Sequence, residues 1–194
     1  MDATEVKTWR RTERERLIAL RMALPPAERR AMSARITAPL REIVVERPGI
    51  LGIYWPFRAE FDPRPLVDSL GADGRQFALP VVIDRRGPLE YRAWAPGEAL
   101  VAGVWDIPIP ERREIVLPTM VLAPVVGFDR AGYRLGYGGG YFDRTLGAMN
   151  PRPLAIGVGF AAQAIDTIYP QPFDIPMDLI VTEAGVRPAS AKRR

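Results

Sequence analysis

The chain has 194 residues, close to the size of one domain, and 47% of them are apolar, which is enough for a core and too much for a disordered segment. It contains no cysteine and no histidine, which excludes disulfides, thiolate chemistry, Ser-His-Asp hydrolysis and the usual zinc ligands. Catalysis must then rest on carboxylates, arginine or lysine, tyrosine, backbone amides or a hard cation such as magnesium, while a formal charge of +4 dominated by arginine favours a polyphosphate or a nucleic acid as ligand.

Residues 4–24 predict a helix, with Val6, Trp9, Leu17, Leu20 and Leu24 near helical spacing and arginines between them. Pro25 and Pro26 end it and suit the first turn of a second helix carrying Met32, Ile36, Leu40 and Ile43, which Pro39 should kink or split. Ile50 to Trp55 is a short apolar run stopped by Pro56 and predicts a buried strand. Asp62-Pro63 predicts a helix start, with Leu66, Val67 and Leu70 as its inner face. Phe77 to Ile83 predicts a strand with Pro80 at its centre, and Tyr91 to Trp94 a weaker one. The stretch from Ala95 to Pro118 is rich in proline and charge and predicts a surface excursion. Val121 to Val126 predicts a strand, Tyr141 to Met149 a short helix, and Leu154 to Phe160 and Leu179 to Thr182 further strands. Strands alternating with helices predict a single α/β domain, a three-layer sandwich with a mainly parallel sheet, ending in a disordered basic tail at 187–194. No apolar run reaches bilayer length and the charged N-terminus lacks a secretory core, so a cytoplasmic location is expected.

The chemistry is concentrated in Arg134-Leu135-Gly136-Tyr137-Gly138-Gly139-Gly140-Tyr141-Phe142-Asp143-Arg144. Glycines let a backbone approach a ligand closely, and a helix beginning directly after them aims successive amides at one point, an arrangement that suits phosphate. The spacing matches neither the dinucleotide fingerprint nor a Walker loop, and by itself the glycine pattern serves a tight turn equally well. The flanks favour function: Arg134 offers an always-charged fork, and Asp143 in the first helical turn suits either the helix dipole or a magnesium ion.

The run FDRAGYRLGYGGGYFDR resembles the signature of the 5-formyltetrahydrofolate cyclo-ligases, also called methenyltetrahydrofolate synthetases. The resemblance extends to the basic N-terminal helix followed by Leu24 to Arg29, to Tyr54-Trp55-Pro56 followed by Glu60-Phe61-Asp62, and to Leu79 to Val82. It also takes in Phe160 to Gln163, and Asp174 with Asp178 before Ile180 to Glu183. It implies a CoA-transferase-like α/β fold and an ATP- and magnesium-dependent ring closure. In that reaction 5-formyltetrahydrofolate is phosphorylated on its formyl oxygen, N10 attacks, and methenyltetrahydrofolate, ADP and phosphate leave.

The same resemblance implies residue roles. Arg134, Leu135, Gly136, Tyr137, Gly138, Gly139, Gly140, Tyr141 and Phe142 would line ATP, with Arg10 and Arg14 reaching it from one helix face. Tyr137 through Tyr141 would also face the folate, with Trp55 and Glu60 on its ring, and Arg134 and Tyr141 would act in catalysis. Asp143 and Asp174 would hold magnesium. Trp55 equally suits a core position, Glu60 a surface one, Asp174 a turn, and Arg10 and Arg14 a solvated face.

Three positions depart from the family pattern: Arg10 stands where lysine is usual, Asp106 to Pro110 replaces a stretch that usually carries an acidic residue, and Thr119 lies where aspartate is frequent. A non-catalytic nucleotide- or RNA-binding relative therefore stays open as the alternative. The expected partners are small molecules acting on a monomer, with neither membrane nor nucleic acid.

Overall fold

The computed structural model describes residues 1–190; residues 191–194 of the expected basic tail lie outside the described part. The first helix, α1 (Ala3–Met22), begins on a capping box in which Asp2 accepts from the Thr4 and Glu5 amides and Glu5 accepts from the Asp2 amide. α2 (Pro26–Val45) starts on a proline and runs through Pro39 without splitting, contrary to expectation. Packing explains this: Ile36, Leu40 and Val44 are fully buried on both sides of the proline, and that burial outweighs one missing backbone hydrogen bond.

Strand β1 (Leu51–Gly52) is shorter than the apolar run around it. α3 (Arg64–Gly71) follows, then β2 (Phe77–Val82) and β3 (Leu89–Trp94). Pro80 is tolerated in β2 because Ala78 faces β1 and accepts from Ile53; two residues on, the missing N–H of Pro80 points past the end of β1. The expected surface excursion carries a small hairpin of its own, β4 (Leu100–Ala102) and β5 (Pro108–Pro110), joined through a 3-10 turn at Val104–Asp106. The remaining elements are β6 (Met120–Pro124), the short antiparallel pair β7 (Gly127–Phe128) and β8 (Arg134–Leu135), α4 (Tyr141–Ala148), β9 (Leu154–Val158), β10 (Leu179–Thr182) and β11 (Gly185–Pro188).

The main sheet has the order β11-β10-β9-β6-β1-β2-β3, parallel through its five central strands and antiparallel at both edges. Arg187 and Pro188, assigned to the tail by the sequence reading, belong to the edge strand β11. Side chains of β6 alternate between the two cores. Met120 and Leu122 pack with α2 and α3, while Val121 and Ala123 face the side that holds Phe142 and Leu146 of α4. A sheet covered on both faces explains why β6 reads as a continuous apolar run. Leu17 of α1 packs on Val126, Leu135 and Ile168, which lays α1 across the glycine segment. Among the described residues, no helix is long and apolar enough to cross a membrane.

Candidate functional site

The chain leaves β1 towards β2 on one side and leaves β6 towards β9 and β10 on the other, yet β1 and β6 are neighbours. Their carboxyl ends therefore bound a crevice at a topological switch point, where open α/β sheets bind ligands. The loop after β1 brings Glu60 to this crevice, and the segment after β6 brings the glycine loop. They meet where the Tyr137 hydroxyl donates to Glu60 Oε1 at 2.9 Å. Glu60 also accepts the Phe57 amide at 2.9 Å. Burial pushes the Glu60 carboxyl above its usual range, with Arg21, the Phe57 amide and the Tyr137 hydroxyl pulling back only in part. Burial likewise raises the Tyr137 hydroxyl, and the nearby Glu60 charge adds to the effect.

The glycine loop is open to solvent at Tyr137, Gly138 and Gly139. Gly138 has φ 96° and Gly140, the residue that caps α4, has φ 66°, conformations that favour glycine. A side chain at Gly139 would come within 2.7 Å of the Tyr141 ring. Among the described residues, the N–H groups from Gly138 to Asp143 have no acceptor in the chain, so they form an open row of donors at a helix N-terminus. Arg14 lies at the Gly138 end of this row. Its Nε donates to the Gly136 carbonyl at 2.6 Å, and its terminal nitrogens lie beside Gly138. Arg14 is half-buried with no carboxylate partner among the described residues, and burial lowers its pKa, with Arg10 contributing. An uncompensated guanidinium beside free amides is a site for an anion.

Arg10 lies on the same helix face and is fully engaged. It donates to the carbonyls of Ile168 and Tyr169, each at 2.9 Å, and pairs with Asp174. Arg134 is buried and pairs with Asp143 at 2.9 Å, while its guanidinium lies 5.5 Å from the Phe142 ring centre. Asp143 also accepts the Ile175 amide at 3.1 Å, which sets the two expected metal ligands on adjoining backbone. Among the described residues no three acidic side chains cluster, so the chain alone makes no metal cage. Two aspartates near an anion site do fit magnesium, which typically takes one or two carboxylates and completes its shell from phosphates and water. Each carboxylate is engaged by a guanidinium, so a cation there has to share or displace one arginine contact.

Trp55 stands apart from the loop residues: its ring contacts are Trp94, with centroids 6.2 Å apart, and the Arg64 guanidinium at 5.2 Å. Two side chains at the site escaped the sequence reading. Arg21, in sequence one more arginine of a basic helix, is 1% exposed and donates to the Tyr137 hydroxyl at 2.6 Å. Its spacing from Arg10, Arg14 and Leu17 is 11, 7 and 4 residues, the repeat of one helix face, and that repeat was the available signal. Trp105 is 63% exposed, has φ 58°, and meets the Tyr141 ring edge-on at 6.0 Å. The sequence carried no sign that the β4–β5 turn reaches Tyr141. The Arg144 guanidinium also lies against Tyr141, 4.9 Å from the ring centre.

Known proteins share the sequence pattern and the fold of this chain. The sequence model of the 5-formyltetrahydrofolate cyclo-ligase family matches residues 6–183. The 5-formyltetrahydrofolate cyclo-ligase of Escherichia coli K12 is 29% identical over 174 residues, covering 86% of this chain and 96% of that one. The protein of the same name from Mycolicibacterium smegmatis is 28% identical over 177 residues, covering 87% of this chain and 91% of that one. The NMR structure of Aquifex aeolicus 5,10-methenyltetrahydrofolate synthetase superimposes with a TM-score of 0.81 at 28% identity, covering 95% of each chain. A Mycoplasma pneumoniae protein described as a 5,10-methenyltetrahydrofolate synthetase shares the fold, with a TM-score of 0.72 at 22% identity over 90% of this chain and 98% of that one.

Proposed function

Because this chain belongs to the 5-formyltetrahydrofolate cyclo-ligase family, we propose that it converts 5-formyltetrahydrofolate and ATP into 5,10-methenyltetrahydrofolate, ADP and phosphate. The observation that carries this reading is that a single loop joins a row of free amides to a buried carboxylate. The free amides of Gly138 to Asp143 begin beside Arg14, and Tyr137, the residue before them, reaches Glu60.

On this reading the amides and Arg14 grip the polyphosphate, and Arg134 and Tyr141 stand beside the transferred phosphoryl group. The formyl oxygen takes that group and ADP leaves. N10 then bonds to the activated carbon, loses its proton, and phosphate departs with the carbon–oxygen bond. The Glu60 carboxylate accepts from donors on the pterin edge, which is acceptor-only chemistry for an anion. Phosphoryl transfer asks the protein chiefly for position and charge stabilisation, which a site without histidine supplies through arginines and amides. Magnesium, when bound at Asp143 and Asp174, would neutralise phosphate charge. On the folate side Glu60, Tyr137 and Arg21 are already paired in the fold, which preorganises that part of the site.

The test follows the absorbance of the methenyl product from 5-formyltetrahydrofolate, with and without ATP and magnesium, on the wild type and Asp143→Ala. Product should depend on ATP and nearly vanish in the variant, while circular dichroism checks that the variant folds. A folded, active Asp143→Ala enzyme removes the metal assignment, and a wild type that gives no product removes the function.

A further inference from the structure

Arg21 is the bulkiest side chain that the fold encloses completely. Its guanidinium is committed to the two loops that form the crevice. Nε donates to the Arg58 carbonyl at 3.0 Å, in the loop after β1, and Nη1 to the Val125 carbonyl at 3.3 Å, just past β6. Nη2 donates to the Tyr137 hydroxyl at 2.6 Å and lies 3.9 Å from Glu60 Oε1. The bond to Arg58 falls on an unusual turn: Arg58 has φ 46° and Ala59 φ 58°, two successive non-glycine residues in the left-handed region. Such a turn persists only where its surroundings over-determine it. Arg21 holds it from one end, and the Phe57 amide bonded to Glu60 holds it from the other.

We infer that Arg21 is a positioning residue for the formylfolate pocket, acting through the Arg58 carbonyl and the Tyr137 hydroxyl to set the place and the charge of Glu60. The inference rests on the function proposed above and assigns the pocket's specificity for a donor-bearing ring edge to a residue that touches no substrate. Glu60 is faced by Arg21 from α1, by Tyr137 from the glycine loop and by Tyr54 from the end of β1; Asp62 beyond it is occupied by Arg64. Arg21 is thus the one cation that answers Glu60 among the described residues. A buried carboxylate stripped of its partner takes up a proton and stops accepting hydrogen bonds from a pterin.

The experiment compares wild type, Arg21→Leu and Arg21→Leu/Glu60→Gln. Formylfolate affinity is measured by calorimetry without ATP and turnover with it, from about pH 5.5 to about pH 8.5. Arg21→Leu should raise Kd and KM for formylfolate by about tenfold or more near neutral pH. It should leave kcat within about threefold and move the pH at which affinity is lost upward, and the double variant should lose that pH dependence. A wild-type Kd with a wild-type pH profile in Arg21→Leu overturns the inference, as does a fall in kcat with KM unchanged. If Arg21→Leu does not fold, recovery of the fold in the double variant supports the role, and its failure to recover overturns it. A wild type that binds no formylfolate refutes the proposed function instead. Urea unfolding then decides the inference: Arg21→Leu losing stability relative to the double variant as pH rises supports it, and parallel curves overturn it.

Discussion

The Tyr137 hydroxyl and the Glu60 carboxylate, 77 residues apart in the chain, share a hydrogen bond of 2.9 Å that joins the two loops of the switch-point crevice. Burial raises both groups, so the folded protein holds a proton on Glu60 more tightly than the unfolded chain does. The stability this contributes is fully present below the ordinary carboxylate range and is lost as pH rises through the raised value. The unfolding midpoint of wild type relative to Glu60→Gln should therefore fall as pH increases from about 4 to about 8. A difference that grows in favour of wild type over that range contradicts the assignment.

Removing only the hydroxyl tests the same bond from the other side. Tyr137→Phe keeps the ring contact with Phe57 but leaves Arg21 and Glu60 each short of a partner. Unfolding in urea should show a loss of about 1–3 kcal/mol, accompanied by weaker formylfolate binding. Unchanged stability would mean that water replaces the hydroxyl without cost.

Among the described residues Arg14 makes one hydrogen bond and otherwise lies beside Gly138 of the glycine loop. Arg14→Ala should raise KM for ATP by about tenfold to a hundredfold, as expected when a charge-assisted contact is lost. Its unfolding midpoint should move little, since only the bond to Gly136 disappears. Arg10→Ala should differ, because it strands Asp174 and should lower stability as well as activity. Similar stabilities for the two variants would contradict this division of labour.

Gly138 and Gly97 have nearly the same backbone strain for any other residue, with φ 96° and 90°, and only Gly138 lies under Arg14. Gly138→Ala and Gly97→Ala should each cost about 1 kcal/mol of stability. Only Gly138→Ala should depress kcat/KM for ATP. Equal activity in the two variants would remove the loop from the nucleotide site.

Trp105 is exposed and in contact with Tyr141, whereas Trp94 is buried and Trp9 and Trp55 contact Tyr169 and Trp94. Tryptophan emission should change when formylfolate or nucleotide binds, and most of that change should disappear in Trp105→Phe. A full response in the variant would place the β4–β5 turn away from the ligands.

The glycine loop, the helix that starts after it and the buried run of β6 were legible locally, because each is a short-range pattern: a concentration of glycine, a helical stretch directly after it, a strand with both faces apolar. Pro39 does not split its helix because propensity speaks for one residue, while buried Ile36, Leu40 and Val44 act together. Arg21 was hidden for a related reason. An arginine reads as solvated until the chain brings carbonyls and a hydroxyl from residues 58, 125 and 137 around it.

The local sequence by itself determined the alternating α/β elements, the chemistry available without histidine or cysteine, and the glycine segment proposed to take phosphate. Only the tertiary structure decided which charges answer one another: Arg10 with Asp174, Arg134 with Asp143, Arg21 with Glu60, and Arg14 with no acid among the described residues. Periodicity records the angle of a side chain about its own helix or strand. Electrostatic pairing depends on distance through space, and the fold sets that distance by closing loops far apart in sequence onto the junction between β1 and β6.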